Sequence, residues 1–104
     1  MLETKKRIEN LEILRWVVNE RDRVCLYGLI ENDPCRFGLD PHHITKRSEG
    51  GDDVPCNLIT LCRKHHDMAE ANRITRQKLR EILTYIYGYQ YGENNGTQES
   101  NRSC

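Results

Sequence analysis

The chain has 104 residues, with 16 Lys+Arg against 16 Asp+Glu, 37% hydrophobic residues and 31% charged. That length fits one domain with a single small core, and such a domain hides only roughly 60–65% of its unfolded surface, so it commonly recruits a metal or disulfides. No apolar run approaches the ~20 residues of a membrane helix, the charged start Met1–Arg7 lacks a signal-like apolar stretch, and zero net charge argues against a strongly basic nucleic-acid tail while leaving room for a local basic strip such as Arg73–Arg80; the expectation is a soluble, cytoplasmic chain with no membrane partner.

In chain order, residues 3 to about 22 read as an amphipathic helix, with Ile8, Leu11, Leu14 and Val18 at three- and four-residue steps and Trp16 and Val17 widening the stripe. Cys25 to Pro41 is punctuated by Gly28, Pro34, Gly38 and Pro41, which predicts loop with short extended pieces. Leu39–Thr45 and Leu58–Leu61 are candidate strands, joined by a Ser48–Pro55 segment with turn chemistry throughout. A helix is predicted from Arg63 to about Asn72, and another from about 75 to 87, with Thr75 as cap and Leu79, Ile82, Leu83 and Ile86 as its stripe. Residues 92–104 carry almost nothing to bury and are expected to be disordered, so the domain is expected to span 1–91.

All four histidines and four of the five cysteines lie in the middle of the chain. His42-His43 sits on the first candidate strand; Asn57 follows His43 by fourteen residues, and His66 follows Asn57 by nine. The strings Asp40-Pro41-His42-His43-Ile44, Gly50-Gly51-Asp52-Asp53 and Asn57–His66, over about residues 25–72, resemble the HNH endonuclease family. Their chemistry is coherent on its own terms. Neighbouring strand residues point to opposite faces, but a local twist can bring both histidines to one cleft. One imidazole can then bind a divalent cation while the other, with an ordinary pKa of about 6.5, accepts a proton. A cation with few protein ligands keeps positions open for phosphate and water.

The resemblance implies an α+β fold: a ββα-metal hairpin-plus-helix core with flanking N- and C-terminal helices. It implies that His42 and His66 hold the catalytic cation, that His43 is the general base, and that Asn57 braces the hairpin loop. The implied reaction is metal-dependent hydrolysis of DNA phosphodiesters to 5′-phosphate and 3′-hydroxyl ends. The cation is expected to be Mg²⁺ or Mn²⁺, with Zn²⁺ or Ni²⁺ as alternatives. Small free-standing members of the family are familiar from bacteria and their phages, which suggests a bacterial or phage-infected host cell and phage packaging or other nucleic-acid-processing partners. No dimer seam is readable.

Cys62-Arg63-Lys64-His65 has the two-residue gap of a zinc half-site, and Cys25 and Cys35 can supply the other two ligands of a structural Cys₃His zinc. Many members of the family carry two C-x-x-C pairs; here His65 replaces the last cysteine and the first pair is widely spaced. The bland alternative is reduced, buried thiols, and disulfides are not expected without an export signal. Cys56 is a possible substitute ligand, and Cys104 reads as a free thiol in the tail. Asp40 reads as a strand-starting residue and Glu70 as a solvated helix acid, although each lies within reach of the site. Lys46, Arg47, Arg63, Lys64, Arg73, Arg76, Lys78 and Arg80 are the candidate phosphate contacts. Two other classes stay open: a non-catalytic zinc module that binds nucleic acid or protein, and a thiol sensor relying on Cys56 and Cys104.

Overall fold

The computed structural model describes residues 7–36 and 38–91. The expected tail and Cys104 lie outside the described residues. A first helix, α1 (Leu11–Trp16), runs on without a break into a wider π-helical segment, Val17–Asp22, and is followed by α2 (Leu26–Glu31). Strand β1 (Leu39–His43) pairs antiparallel with β2 (Leu58–Cys62), then come α3 (Arg63–Glu70) and α4 (Arg76–Tyr87). This is an α+β fold with a two-stranded sheet. The register sets His42 opposite Ile59 and His43 opposite Leu58.

All five residues of β2 are buried, which explains a sequence that is apolar but for Thr60, whose hydroxyl reaches the Val17 carbonyl. Strand alternation divides them between two clusters. Ile59 and Leu61 join Ile44, Leu79, Ile82 and Leu83, whereas Leu58 packs with Leu14 and Val17. The α4 stripe is thus the main lid of the core. Its start is capped by Thr75, whose hydroxyl accepts from the Lys78 amide at 3.1 Å.

Two elements depart from the sequence reading. The first helix begins at Leu11, capped by Asn10, whose side chain accepts from the Ile13 amide. Residues 7–10 instead run as a strap across the loop between the strands: the Asp53 amide donates to the Ile8 carbonyl at 2.8 Å, and Asp52 Oδ1 accepts from the Ile8 amide at 2.7 Å. Ile8 and Leu11, counted in the apolar stripe, are exposed. The second departure is α2, where loop was expected. Gly28 reads as a breaker but is a packing residue, because a Cβ there would collide with Cys35 Sγ. The helix closes at Asn32 in the left-handed conformation, a normal place for asparagine.

The loop from Ile44 to Asn57 is tied at both ends. The Asn57 side chain accepts from the Thr45 amide at 2.8 Å and donates to the carbonyls of Thr45 and Asp52 at 3.2 and 3.0 Å. Gly51 sits so close to the Thr45 and Lys46 carbonyls that no Cβ fits. Gly51→Ala is therefore expected to cost about 1–3 kcal/mol through overpacking, or roughly 5–20 °C in Tm for a domain this size. Calorimetry measures it directly; a Tm unchanged from the parent would mean that the loop has slack.

A buried clasp fixes the π-helical segment to the sheet. Arg21 donates to the carbonyls of Pro55 (2.7 Å) and Leu58 (2.6 Å), and its guanidinium forks onto Asp22 at 2.7 and 3.0 Å. Asp22 in turn accepts from the Thr60 amide at 3.0 Å and the Tyr87 hydroxyl at 2.7 Å. The Arg21 guanidinium also lies 4.7 Å from the Tyr87 ring centre.

Candidate metal centres and active-site cleft

The end of β2 and the first turn of α3 gather one cluster. Cys62 caps α3, its sulfur accepting from the His65 amide. His65 is fully buried, and its Nδ1 lies 3.3, 3.7 and 3.3 Å from the sulfurs of Cys25, Cys35 and Cys62. All four donor atoms fall within 4.8 Å of one another. A tetrahedral zinc, with Zn–N about 2.0 Å and Zn–S about 2.3 Å, sets nitrogen and sulfur about 3.5 Å apart. The observed distances bracket that value.

The tautomer agrees with metal binding. His65 Nε2 lies 2.6 Å from Asp33 Oδ2, and hydrogen bonds from His65 and Lys64 hold the Asp33 carboxyl below its usual range. An ionised carboxylate only accepts, so Nε2 carries the proton and Nδ1 turns its lone pair to the sulfurs. Burial would raise the Cys62 thiol, but the backbone amides of His65 and Arg36 outweigh it and bring it down to about 7. The Cys35 thiol is pushed up to about 12 by desolvation and by its neighbours Cys62 and Cys25. Three sulfurs this close cannot all ionise without a cation among them. The cluster fits a metal such as zinc. Cys56 takes no part in it and is disulfide-bonded, where no disulfide was expected.

His42, His66 and Glu70 form a second group whose donor atoms also lie within 4.8 Å of one another. Glu70 Oε2 is 3.4 Å from His42 Nδ1 and 3.5 Å from His66 Nε2. His66 Nδ1 faces Asp40 Oδ2 at 3.2 Å, which leaves Nε2 for a ligand. Burial first, and then the neighbouring His66, lower the His42 pKa to about 4, so its lone pair is available at neutral pH. His42 Nδ1 is buried and has no hydrogen-bond partner. A cation among this nitrogen, the carboxylate and the second imidazole would satisfy it. A divalent ion fits this donor set.

His43 is next in sequence, but strand alternation turns it toward the loop. Its Nε2 lies 2.7 Å from Asp53 Oδ1. Asp53 is itself buried and also accepts from Arg7 at 3.1 Å and from the Asn10 amide at 2.7 Å. Burial alone would raise the Asp53 carboxyl; the hydrogen bonds from His43, Asn10 and Arg7 outweigh it and bring the pKa down to about 2. Between His43 and the second metal group opens a cleft of about 370 Å³, lined by Pro41, His43, Lys46, Arg47, Ser48, His66 and Glu70.

Of the eight basic residues expected to meet phosphate, Lys46 and Arg47 line this cleft. Arg76 pairs with Glu49 at 2.7 Å and Arg80 donates to Thr45 Oγ1 at 3.1 Å, so both hold the loop behind it. Arg63 pairs with Asp40 and Asp67. Lys64 pairs with Asp33 beside the Cys₃His cluster and Lys78 with Glu31 on α2, while Arg73 is exposed after α3. Sequence reasoning set Glu70 and Asp40 aside as a solvated acid and a strand start; both face the histidines. It passed over Arg7, Asp33 and Asp53. The four-residue step from His66 to Glu70 was the one readable signal among these.

The HNH endonuclease family model matches residues 32–72. No curated protein and no solved structure gives a significant match. Among the described residues no helix is long and apolar enough to cross a membrane.

Proposed function

We propose that the chain, which the HNH endonuclease family model matches over residues 32–72, is a metal-dependent endonuclease that hydrolyses DNA phosphodiesters to 5′-phosphate and 3′-hydroxyl ends. The observation that carries this reading is the orphaned, buried Nδ1 of His42 facing Glu70 and His66, one residue from a histidine held by a carboxylate. His42, His66 and Glu70 would hold the divalent cation, which supplies charge stabilisation at the phosphate and the leaving oxygen. Mg²⁺ and Mn²⁺ suit the carboxylate, while Zn²⁺ and Ni²⁺ suit the imidazoles.

The chain's own groups divide the remaining work. His43 accepts the proton of the attacking water. Asn57 holds the loop that closes over β1, so that the His43 ring keeps its place. Lys46 and Arg47 neutralise phosphate at the mouth of the cleft. The Cys25, Cys35, Cys62 and His65 cluster would hold a structural zinc that fixes the first turn of α3 and, with it, His66.

Purified protein incubated with supercoiled plasmid and each of several divalent cations is expected to nick it. Mild chelation should stop cutting, Mg²⁺ or Mn²⁺ should restore it, and the zinc should stay bound, because four protein ligands coupled to folding hold it. Tight zinc without cleavage under any cation would favour the non-catalytic binding module.

A further inference from the structure

The loop residue Asp53 has more partners than a turn needs. It lies outside both metal groups, yet its side chain is only 4% exposed and three donors from two distant parts of the chain, the strap and β1, converge on it. Oδ1 takes His43 Nε2 at 2.7 Å and Arg7 Nη1 at 3.1 Å; Oδ2 takes the Asn10 amide at 2.7 Å. Arg7 is tied further by donating to the Gly51 carbonyl at 2.8 Å. The strap of residues 7–10 precedes the segment matched by the family model, so nothing in that match accounts for it.

We propose that Asp53, held from behind by Arg7 and the Asn10 amide, is a positioning residue that fixes His43 with its proton on Nε2 and its lone pair on Nδ1, and that the strap is thereby part of the catalytic machinery. The proposal rests on the reading of His43 as the base. A carboxylate only accepts, so all three of its neighbours must be donors, and the ring nitrogen facing it must carry hydrogen. The nitrogen left to take a proton is Nδ1. Without the strap, the carboxylate would be free to swing away and the ring free to choose either tautomer.

Asp53→Asn tests this with almost no change in shape. An amide has one accepting oxygen for three donors. Turned to keep the immovable Asn10 amide satisfied, it points its own N–H at His43 and favours the tautomer with hydrogen on Nδ1. Wrong-tautomer substitutions in a His–Asp pair lower kcat by up to ~10⁴. For Asp53→Asn we expect a fall of ~10²–10⁴ in kcat for plasmid nicking, with KM and zinc content close to the parent and a Tm lower by several degrees, because Arg7 loses its acceptor.

Nitrogen-15 NMR of the zinc-loaded protein, with the imidazole signals assigned, reads the tautomer without reference to activity. The expected result is His43 protonated on Nε2 in the parent, with that proton lost or moved to Nδ1 in Asp53→Asn. A parent His43 protonated on Nδ1, or an Asp53→Asn protein that nicks at the parental kcat, overturns the proposal. The NMR reading of the parent serves even if the variant fails to fold. A parent that fails to nick DNA under every cation tested overturns the nuclease reading instead, and with it the catalytic role of the strap.

Discussion

His43→Ala is expected to lower plasmid nicking by ~10²–10⁴-fold, the usual contribution of a general base. Folding, zinc content and binding of the catalytic cation should be nearly those of the parent. The separation follows from strand alternation: His42 faces Glu70 and His66, whereas His43 faces Asp53. His43 is also part-exposed at the cleft, so its truncation leaves a gap open to water and not a core cavity. Single-turnover nicking rates, read beside melting curves, measure the effect. A variant that cuts at the parental rate would remove His43 from the chemistry and leave the proton to another group.

The second large effect separates two adjacent histidines. His65→Ala is expected to release the zinc and to unfold the protein or lower its Tm by more than about 10 °C. Structural zinc contributes about 10–16 kcal/mol of apparent binding energy in small metal-coupled peptides, whereas a whole domain is stable by about 5–15 kcal/mol. Losing the ion therefore rivals the entire margin. His66→Ala should keep zinc and fold while abolishing nicking. Successive helix positions point about 100° apart, and here each ring has its own carboxylate, Asp33 for His65 and Asp40 for His66. Zinc content, Tm and nicking rate for the two variants side by side decide the matter. If His65→Ala keeps its zinc while His66→Ala loses it, the allocation is reversed.

The sequence was most informative where residue type and spacing both limit the choice. Cys62 and His65 stand one helical turn apart at a strand-to-helix junction, so a shared centre could be read from them, with Cys25 and Cys35 as the other ligands and Cys56 as the substitute that the structure leaves out. The two histidine pairs and Asn57 were readable for the same reason. The stripe of α4 was visible because it repeats over three turns. What escaped notice depended on contacts between distant parts of the chain. Gly28 looks like a helix breaker until Cys35 Sγ is known to lie against it. Asp53 looks like turn chemistry until a strap more than forty residues earlier is seen to grip it. Ile8 and Leu11 extend a helical stripe in sequence, yet the hydrogen bonds of residues 7–10 go to Asp52 and Asp53 and keep that segment out of the helix. Local propensity has no access to such partners.

The clasp of Arg21 and Asp22 has a further consequence for how copies of the molecule meet. A sheet of only two strands leaves both of its borders open as templates on which another chain can polymerise. Here the outer border of β2 is occupied by side chains: Asp22 takes the Thr60 amide, Arg21 takes the Leu58 carbonyl, and the Thr60 hydroxyl reaches the Val17 carbonyl at 3.4 Å. The outer border of β1 carries Pro41, which offers no N–H to an incoming strand. Neither border can recruit a third strand without first dismantling the clasp or accommodating the proline, so the smallest possible sheet is also a terminated one.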